Sequence, residues 1–325
     1  MVVSSRIIGH GHYLPHKVLT NDDLSTMMDT SDTWIRGRTG IGQRHIADDS
    51  ESTSDLATHA GRHALTSAGL SAEMLDMIIV ATTTPDYTFP STASRVQEKL
   101  GAGVTGAFDV QAVCAGFLHA LTIGDSLIKA GVCRTCLVIG AEICSRIIDW
   151  SDRSTCVLFG DGAGAIILEA YERDEEEDKS SMVIGSVLRA DGRDRASLHM
   201  DGGVSSTRTI GLVRMDGRDV FKKAVERLAD VSLEALSTCH MAMEQVDWLI
   251  PHQANMRIVQ ALGKRLRIGQ EKLAVTIERH GNTSAASIPL VMSTYIEDGR
   301  IQRGQTLLIQ AIGGGLTWGA SLLRF

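Results

Sequence analysis

Cys114 stands between an extended run, residues 106–111 (Gly-Ala-Phe-Asp-Val-Gln), and an apolar helical run that begins near Ala115. A thiol at such a strand-to-helix elbow meets the partial positive charge of helix-start N–H groups, so its pKa is expected to fall and the residue to act as a nucleophile. Set among Ala, Val and Gly, it also reads as a small buried hydrophobe. Two other loops join apolar elements to small polar residues. His252 follows Trp248-Leu-Ile-Pro251 and should emerge at the carboxyl end of a strand, where open α/β sheets place their ligands; a structural histidine is the competing reading. Asn282, in His280-Gly-Asn-Thr-Ser-Ala-Ala-Ser287, precedes a helix, where an N-terminal cap is the simpler local role. Together the three residue types suit thioester chemistry, with the thiolate taking an acyl group and two neutral donors holding the oxygen of a second thioester as negative charge develops there. A cysteine protease also uses Cys, His and Asn, but there the base activates the thiol directly.

Other residues offer weaker chemistry. Cys133-x-x-Cys136 invites a redox or zinc reading, yet Cys136 opens the apolar run Cys-Leu-Val-Ile-Gly140 and no second Cys or His pair stands at ligand spacing, so a buried strand residue is expected. His59 and His63 lie four apart on one helix face; without a carboxylate or a third ligand nearby they read as a solvated pair. The segment Trp34-Ile-Arg-Gly-Arg-Thr-Gly40 pairs an aromatic with Arg36 and Arg38, a combination that can stack on a base and hold phosphates, or plug a core gap beside two solvated arginines.

The chain must hold these groups with a framework of alternating strands and helices. At 325 residues, 43% hydrophobic and 22% charged, it can bury a large core. It has no apolar stretch long enough for a signal peptide or a membrane span, and a cytoplasmic location is expected. Six scattered cysteines are expected to be reduced. A net charge of −7 argues against general nucleic-acid binding, and an acidic partner would need a local basic patch. Strands are expected at 6–13, 76–81, 105–110, 136–140, 160–168, 182–188, 247–251, 274–277 and 306–311. Helices are expected over short pieces of 21–34, capped by Asn21 and Ser31, and over 53–68, from Ser91 to Leu100, from Cys114 to about Ala130, and at 219–236, 255–266 and 284–295. The acidic run Glu172-Arg-Asp-Glu-Glu-Glu-Asp-Lys179 reads as a boundary, giving halves 1–171 and 182–325 joined by a linker at 172–181. Both halves end on a glycine-rich turn into a small-residue strand, which suggests an internal duplication with strand ends meeting at one shared site.

In this light the chain resembles a β-ketoacyl-acyl-carrier-protein synthase III of the thiolase superfamily. The matching motifs run nearly full length: Trp34-Ile and Arg38-Thr-Gly-Ile41, Phe89-Pro-Ser91, Phe108-Asp-Val and Cys114-Ala-Gly-Phe117, Asp152-Arg153 and Phe159-Gly-Asp-Gly-Ala-Gly164, His252-Gln-Ala-Asn255, His280 to Ser287, and Gly313-Gly-Gly-Leu-Thr-Trp-Gly319. Asn282 discriminates, because elongating synthases carry a second histidine there, and hydroxymethylglutaryl-CoA synthases add a catalytic glutamate.

The resemblance implies a thiolase-like fold of duplicated halves in five αβαβα layers. It implies an initiating condensing enzyme of dissociated fatty-acid synthesis, which would take a short acyl group, most simply acetyl, from acyl-CoA onto Cys114 and condense it with malonyl-carrier protein. Cys114 and Gly314 N–H groups would form the oxyanion hole, and His252 and Asn282 would hold the malonyl thioester. Trp34 and Arg153 would sandwich the adenine of CoA, near Thr30 and Arg38, with Asn255 on the pantetheine arm. Phe89, Phe117 and Ile143 would bound the acyl pocket, Phe89 at a dimer-shared end. Lys222, Lys223, Arg257, Lys264, Arg265 and Arg267 would dock the acidic carrier protein, and the enzyme would be a homodimer needing no metal or redox cofactor. Ser154, where many members have Gly, leaves the CoA contacts less constrained. The alternative on the same fold is an acyltransferase of secondary metabolism with an unusual starter or a non-carbon nucleophile; a non-catalytic acyl-CoA-binding scaffold would lack the need for so complete a set of groups.

Overall fold

The computed structural model describes residues 2–173 and 181–325. Strand β1 (Val2–Tyr13) leads into β2 (Lys17–Thr20), helices α1 (Asn21–Met27) and α2 (Asp32–Thr39), and β3 (Gln43–Ile46). Ser31 caps α2 as expected, accepting the Trp34 N–H, but α1 is capped by Thr20. Asn21 lies one residue inside and is buried, its Nδ2 donating to Ile41 O at 2.7 Å and its Oδ1 accepting from the buried Arg44 at 2.9 Å. Then follow α3 (Thr53–Ala68), β4 (Met77–Ala81), α4 (Thr92–Leu100), β5 (Gly106–Val110), α5 (Gly116–Lys129), β6 (Thr135–Ile143), α6 (Arg153–Cys156) and β7 (Asp161–Arg173). Strand β7 takes in the first two residues of the expected linker; 174–180 lie outside the described residues.

The second half runs β8 (Met182–Ala190), β9 (Leu198–Met200), β10 (Val213–Met215), α7 (Gly217–Thr238), β11 (Trp248–Pro251), α8 (Met256–Leu266), α9 (Ile277–His280), α10 (Ser287–Glu297), β12 (Thr306–Gly313) and β13 (Thr317–Arg324). Its sheet has the order β11-β12-β13-β8, and that of the first half β5-β4-β6-β7-β1. The directions correspond too: β4 is parallel to β6 and β11 to β12, whereas β7 and β13 each run antiparallel to both neighbours. The duplication is therefore visible strand by strand, except for a counterpart to β5.

The expected strand at 274–277 would fill that place, but it is not a strand. A single bridge joins Leu249 to Leu273, and the Ala274 N–H reaches Leu249 O. The next N–H groups go to side chains, Val275 to Tyr295 Oη at 2.8 Å and Thr276 to Gln253 Oε1 at 3.2 Å. With its donors committed to side chains, this stretch cannot continue a ladder.

Helices α5 and α10 lie between the two sheets, and their apolar faces share one core with residues of β4, β6, β11 and β12, such as Ile79, Val138, Ile250 and Ile309. Outside the first sheet, α3 and α4 cover Ile78, Val80 and Ile139; outside the second, α7 and α8 cover Leu249, Leu308 and Leu322. This is the five-layered αβαβα arrangement of the thiolase-like fold. Close contact between the halves explains the glycines of β6 and β7. A Cβ on Gly140 would stand 2.3 Å from Ala285 O, and one on Gly164 2.6 Å from Leu290 N, so only glycine lets the start of α10 press onto the sheet. Among the described residues no helix is long and apolar enough to cross a membrane.

Candidate active site

Each half enters its central helix through the same kind of elbow. One 3₁₀ turn, Val113–Ala115, precedes α5, and another, Ser284–Ala286, precedes α10. The first residue of each, Val113 and Ser284, sits at φ 49°, a left-handed conformation costly for a residue with a Cβ. Such strain persists where the surrounding contacts impose it. One elbow carries Cys114, and the other begins two residues after Asn282.

Cys114, His252 and Asn282 converge on one cavity of about 270 Å³. It is also lined by Trp34, Arg38, Asn255, Arg257, Phe221 and Leu198, and so runs from a surface rich in arginine to the buried thiol. A second cavity of about 280 Å³ meets the first at Cys114 and extends past Val113, Cys144, Ile147, Met200 and Val213 to Arg195 and His199. The glycine turn closes over the junction. A Cβ on Gly313 would lie 2.7 Å from the Cys114 N, and Gly314 and Gly315 line the second cavity.

His252 is 3% exposed, and burial holds its imidazole far below the usual range, at about 3, so the ring is neutral. Its Nδ1 lies 2.7 Å from Ser287 Oγ. That hydroxyl also accepts the Gln253 N–H at 3.2 Å, and among the described residues the one acceptor left for its own proton is His252 Nδ1. This assigns the ring proton to Nε2 and makes His252 a neutral donor. Asn282 is anchored through its backbone to Leu158 and Gly160, and its Oδ1 accepts the Ser284 N–H at 2.9 Å. The expected helix cap is not Asn282, since Thr283 and Ala286 hold the cap positions of the turn and of α10 without side-chain bonds. The Asn282 side chain instead turns the loop just ahead of them, and with Oδ1 occupied, Nδ2 is the end left to donate.

The thiol departs from expectation. Burial pushes Cys114 up to about 12, although the Ser284 hydroxyl against the sulfur pulls the other way and the Glu142 charge adds to the rise. Regular helix begins only at Gly116, two residues beyond the thiol, and desolvation outweighs its dipole. Glu142 was invisible in the sequence. It is wholly buried at the end of β6 and accepts from Thr84 Oγ1 at 2.6 Å, Thr83 Oγ1 at 2.9 Å, the Thr83 N–H and Ser284 Oγ at 3.2 Å. The run of three threonines after β4 was its only trace.

Several expected contacts lie elsewhere. Phe117 and Ile143 line neither cavity. Phe117 is fully buried in the core between the sheets; Ile143 shares its face of β6 with Leu137, Ile139 and Ala141, which packs against α3 and α4. Phe89 is 83% exposed and lines neither cavity of its own chain. The Arg153 guanidinium lies 4.8 Å from the Trp34 ring centroid and bonds Asp29 O, with Arg38 also 4.8 Å from that ring. Trp34 is thus already in contact with both arginines in this structure. The Thr30 hydroxyl is buried without a partner among the described residues. Asn255 caps α8 with Oδ1 while lining the cavity. Of the basic residues, Lys222, Arg257, Lys264, Arg265 and Arg267 are exposed. Lys223 is instead held between Asp194 at 2.8 Å and Asp219 at 2.6 Å, and Arg265 reaches Asp230 at 3.3 Å. Cys133 and Cys136 are both buried and unbridged, Cys136 within β6.

A duplicated five-layer fold with a buried thiol, a neutral histidine donor and an asparagine amide at one junction defines an acyl-transferring enzyme of the thiolase-like class. Residues 108–192 match the family model described as 3-oxoacyl-[acyl-carrier-protein] synthase III, and residues 236–325 the model of its C-terminal part. A β-ketoacyl-[acyl-carrier-protein] synthase III of Rhodospirillum centenum is 53% identical over 325 residues, covering all of both chains. The crystal structure of 3-oxoacyl-[acyl-carrier-protein] synthase III from Aquifex aeolicus superposes with a TM-score of 0.92 at 49% identity, covering 99% of this chain and 100% of that one. The priming β-ketosynthase of the R1128 polyketide biosynthetic pathway also gives 0.92, at 32% identity, covering 99% and 96%. The chain belongs to the 3-oxoacyl-[acyl-carrier-protein] synthase III family.

Proposed function

We propose that this chain is the initiating condensing enzyme of fatty-acid synthesis, moving a short acyl group, acetyl in the first instance, from acyl-CoA to Cys114 and condensing it with malonyl-acyl-carrier protein. The observation that carries this reading is the convergence of Cys114, His252 and Asn282 on one cavity that opens beside Trp34, Arg38 and Asn255. The Cys114 sulfur attacks the thioester carbonyl of acyl-CoA, and its proton leaves with the CoA sulfur. A thiol raised by burial gains from making this exchange concerted, because no free thiolate has to form first. Charge on the carbonyl oxygen falls toward the N–H groups of Cys114 and Gly314. Malonyl-carrier protein then enters through the same mouth. Nε2–H of His252 and Nδ2–H of Asn282 hold its thioester oxygen while the carboxylate departs as carbon dioxide. The resulting carbanion equivalent attacks the acyl-cysteine carbonyl, the bond to the Cys114 sulfur breaks as 3-ketoacyl-carrier protein leaves, and the sulfur takes one proton from solvent, the proton that the decarboxylative condensation consumes.

Asn255 holds the pantetheine arm, Trp34, Arg38, Arg153 and Thr30 meet the nucleotide end, and the cavity past Ile147 takes the acyl chain. Exposed Lys222, Arg257, Lys264 and Arg267 receive the acidic carrier protein near the mouth. Phe89, exposed on its own chain, is placed to close the acyl pocket of a second copy in a homodimer. The two halves, 1–171 and 182–325, divide the labour: the first carries the acyl group and the second makes its partner a carbanion.

Intact-mass measurement after mixing with acetyl-CoA tests the covalent step, with an acetyl adduct expected on the native protein and none on Cys114→Ala. An adduct that survives the substitution would place the nucleophile elsewhere. Release of carbon dioxide from malonyl-carrier protein tests the second step, and a protein that forms the adduct but releases none would be a transferase without condensation.

A further inference from the structure

The pair His59 and His63 lacked a carboxylate and a third ligand in the sequence; the fold supplies both to His63. Where β1, at the edge of the first sheet, passes between α3 and the C-terminal end of α10, His63 Nε2 lies 3.2 Å from Glu297 Oε1 and His12 Nδ1 lies 3.4 Å from the same oxygen. The three ligand atoms all fall within 4.8 Å of one another. Zinc–nitrogen and zinc–oxygen bonds of roughly 2.0–2.2 Å set the edge of a tetrahedron at about 3.3–3.5 Å, close to the two spacings found. His12 is half-buried, whereas His63 and Glu297 are exposed, so one side stays open for an ion to enter and for water to complete its shell.

We propose that His12, His63 and Glu297 form a site for a divalent transition-metal ion of the zinc type, apart from the acyl-transfer centre. Imidazole and carboxylate donors in this number suit zinc, cobalt or nickel better than the all-oxygen cations. The groups behind the ligands fit as well. His63 Nδ1 lies 3.3 Å from the His12 carbonyl, to which it can donate, leaving the Nε2 lone pair toward Glu297. His12 N–H lies at the same 3.3 Å, so the ring can also take the other tautomer when no metal is bound. The wholly buried Ser293 is 2.9 Å from His12 Nδ1, 3.1 Å from His10 Nδ1 and 3.2 Å from Glu297 Oε1. Its hydroxyl donates to the carboxylate, so without an ion His12 Nδ1 is the donor to Ser293, and a bound ion takes the place of that ring proton. An ion here would tie β1 and α3, from the first half, to α10, the helix whose first residue, Ser287, bonds His252.

Cobalt(II) titration followed by visible absorption, with zinc(II) titration calorimetry beside it, tests the site on the full chain, on His63→Ala and on Glu297→Gln. His63 is an exposed helix residue outside the acyl-transfer machinery, so His63→Ala is expected to keep its condensation activity, which shows it folded. The native protein should take up one cobalt per chain with an N/O-type spectrum. Loss of a ligand should weaken binding at least as much as loss of the groups behind a ligand, about 10–100-fold. Zinc should raise the melting temperature of the native protein and not that of Glu297→Gln. Equal affinity in the native protein and both variants, no uptake by the native protein, or thiolate-to-cobalt charge transfer pointing to the cysteines, would each overturn the assignment.

Discussion

In the mechanism proposed above, His252 donates only while its proton sits on Nε2, and the residue that puts it there is Ser287. The Ser287 hydroxyl accepts the Gln253 N–H and gives its proton to Nδ1, so the tautomer follows from a chain of three groups. Ser287→Ala removes the constraint and leaves the buried Nδ1 and Gln253 N–H without a partner, a loss of about 1–3 kcal/mol in stability. The ring itself remains, so decarboxylation of malonyl-carrier protein should slow by about tenfold, short of the 10²–10³ that removal of a donor costs. Acetyl transfer to Cys114 does not use this donor, and its rate in stopped mass measurements should hold. A variant that loses both steps equally would show Ser287 to be structural only. None of this could be read from a sequence in which Ser287 is one small residue among Thr-Ser-Ala-Ala-Ser. Cys114, His252 and Asn282 each had a competing structural reading, and it was their combination and the family motifs around them that marked three residues the fold brings to one cavity. Glu142 was not, because a lone acid inside an apolar strand shows its partners only when β4 and β6 lie side by side.

At the scale of elements, periodicity was readable, and the competition of side chains for backbone N–H groups was not. The 3.6-residue pattern of α3 and the continuous apolar run of β4 gave bounds within a residue, since both depend on local chemistry. The stretch 274–277 failed because its neighbours' side chains, Tyr295 and Gln253, take the N–H groups a strand would use. Of the residues expected at the acyl pocket, Ile143 faces away from the cavity by strand parity. Ile143 ends the β6 face that packs against α3 and α4, and the chain then turns, so that Cys144 and Ile147 line the cavity instead. The two isoleucines should therefore behave oppositely. Ile143→Ala opens a core void and should cost about 2–5 kcal/mol, read as a lower urea midpoint, with the preference among acyl-CoA primers unchanged. Ile147→Ala enlarges the cavity beside Cys114 and should shift that preference toward longer or branched primers with a smaller loss of stability. If Ile143→Ala changed primer choice and Ile147→Ala did not, the assignment of the pocket would be reversed.

Across the whole molecule, charge is uneven although the total is −7. Arg257 lines the mouth of the cavity, and Lys264 stands two turns further along α8, both exposed; Lys223, by contrast, is already neutralised by Asp194 and Asp219. Reversal of Arg257 and Lys264 together should raise KM for malonyl-carrier protein at low salt while leaving the acetyl-CoA step nearly unchanged, and added salt should narrow the difference. Lys223→Glu should act mainly through stability, since it breaks half-exposed ion pairs with Asp194 and Asp219 and not a docking contact. Equal KM values for the native and doubly reversed enzymes at low salt would move the carrier protein to another face.

The same packing that closes the site also sets how the molecule responds to acid. His252 and His280 lie in the interior, and burial holds each at about 3 against an ordinary 6.5. Below pH 6.5 the unfolded chain binds a proton at each position, whereas the folded chain resists until about pH 3. The neutral rings therefore contribute stability that is present above pH 6.5 and is lost as pH falls through the window from 6.5 to 3. Each should add a slope approaching about 1.4 kcal/mol per pH unit once the unfolded histidine is fully protonated. Buried carboxylates act in the opposite sense, since burial raises Glu142 and Asp161, so the total slope of the native protein mixes both signs. A difference between two proteins cancels that background. His280→Asn removes one buried imidazole whose Nδ1 has no partner among the described residues, and it leaves the carboxylates in place. Urea unfolding at intervals between pH 4 and 7.5 should then give a stability curve flatter than that of the native protein by about 1.4 kcal/mol per pH unit below roughly pH 5.5. Above pH 7 the two curves should run parallel, whatever the offset the substitution itself introduces. Parallel curves throughout would mean that His280 titrates in the fold much as it does in the open chain, and the interior beside Asn282 would then have to admit water.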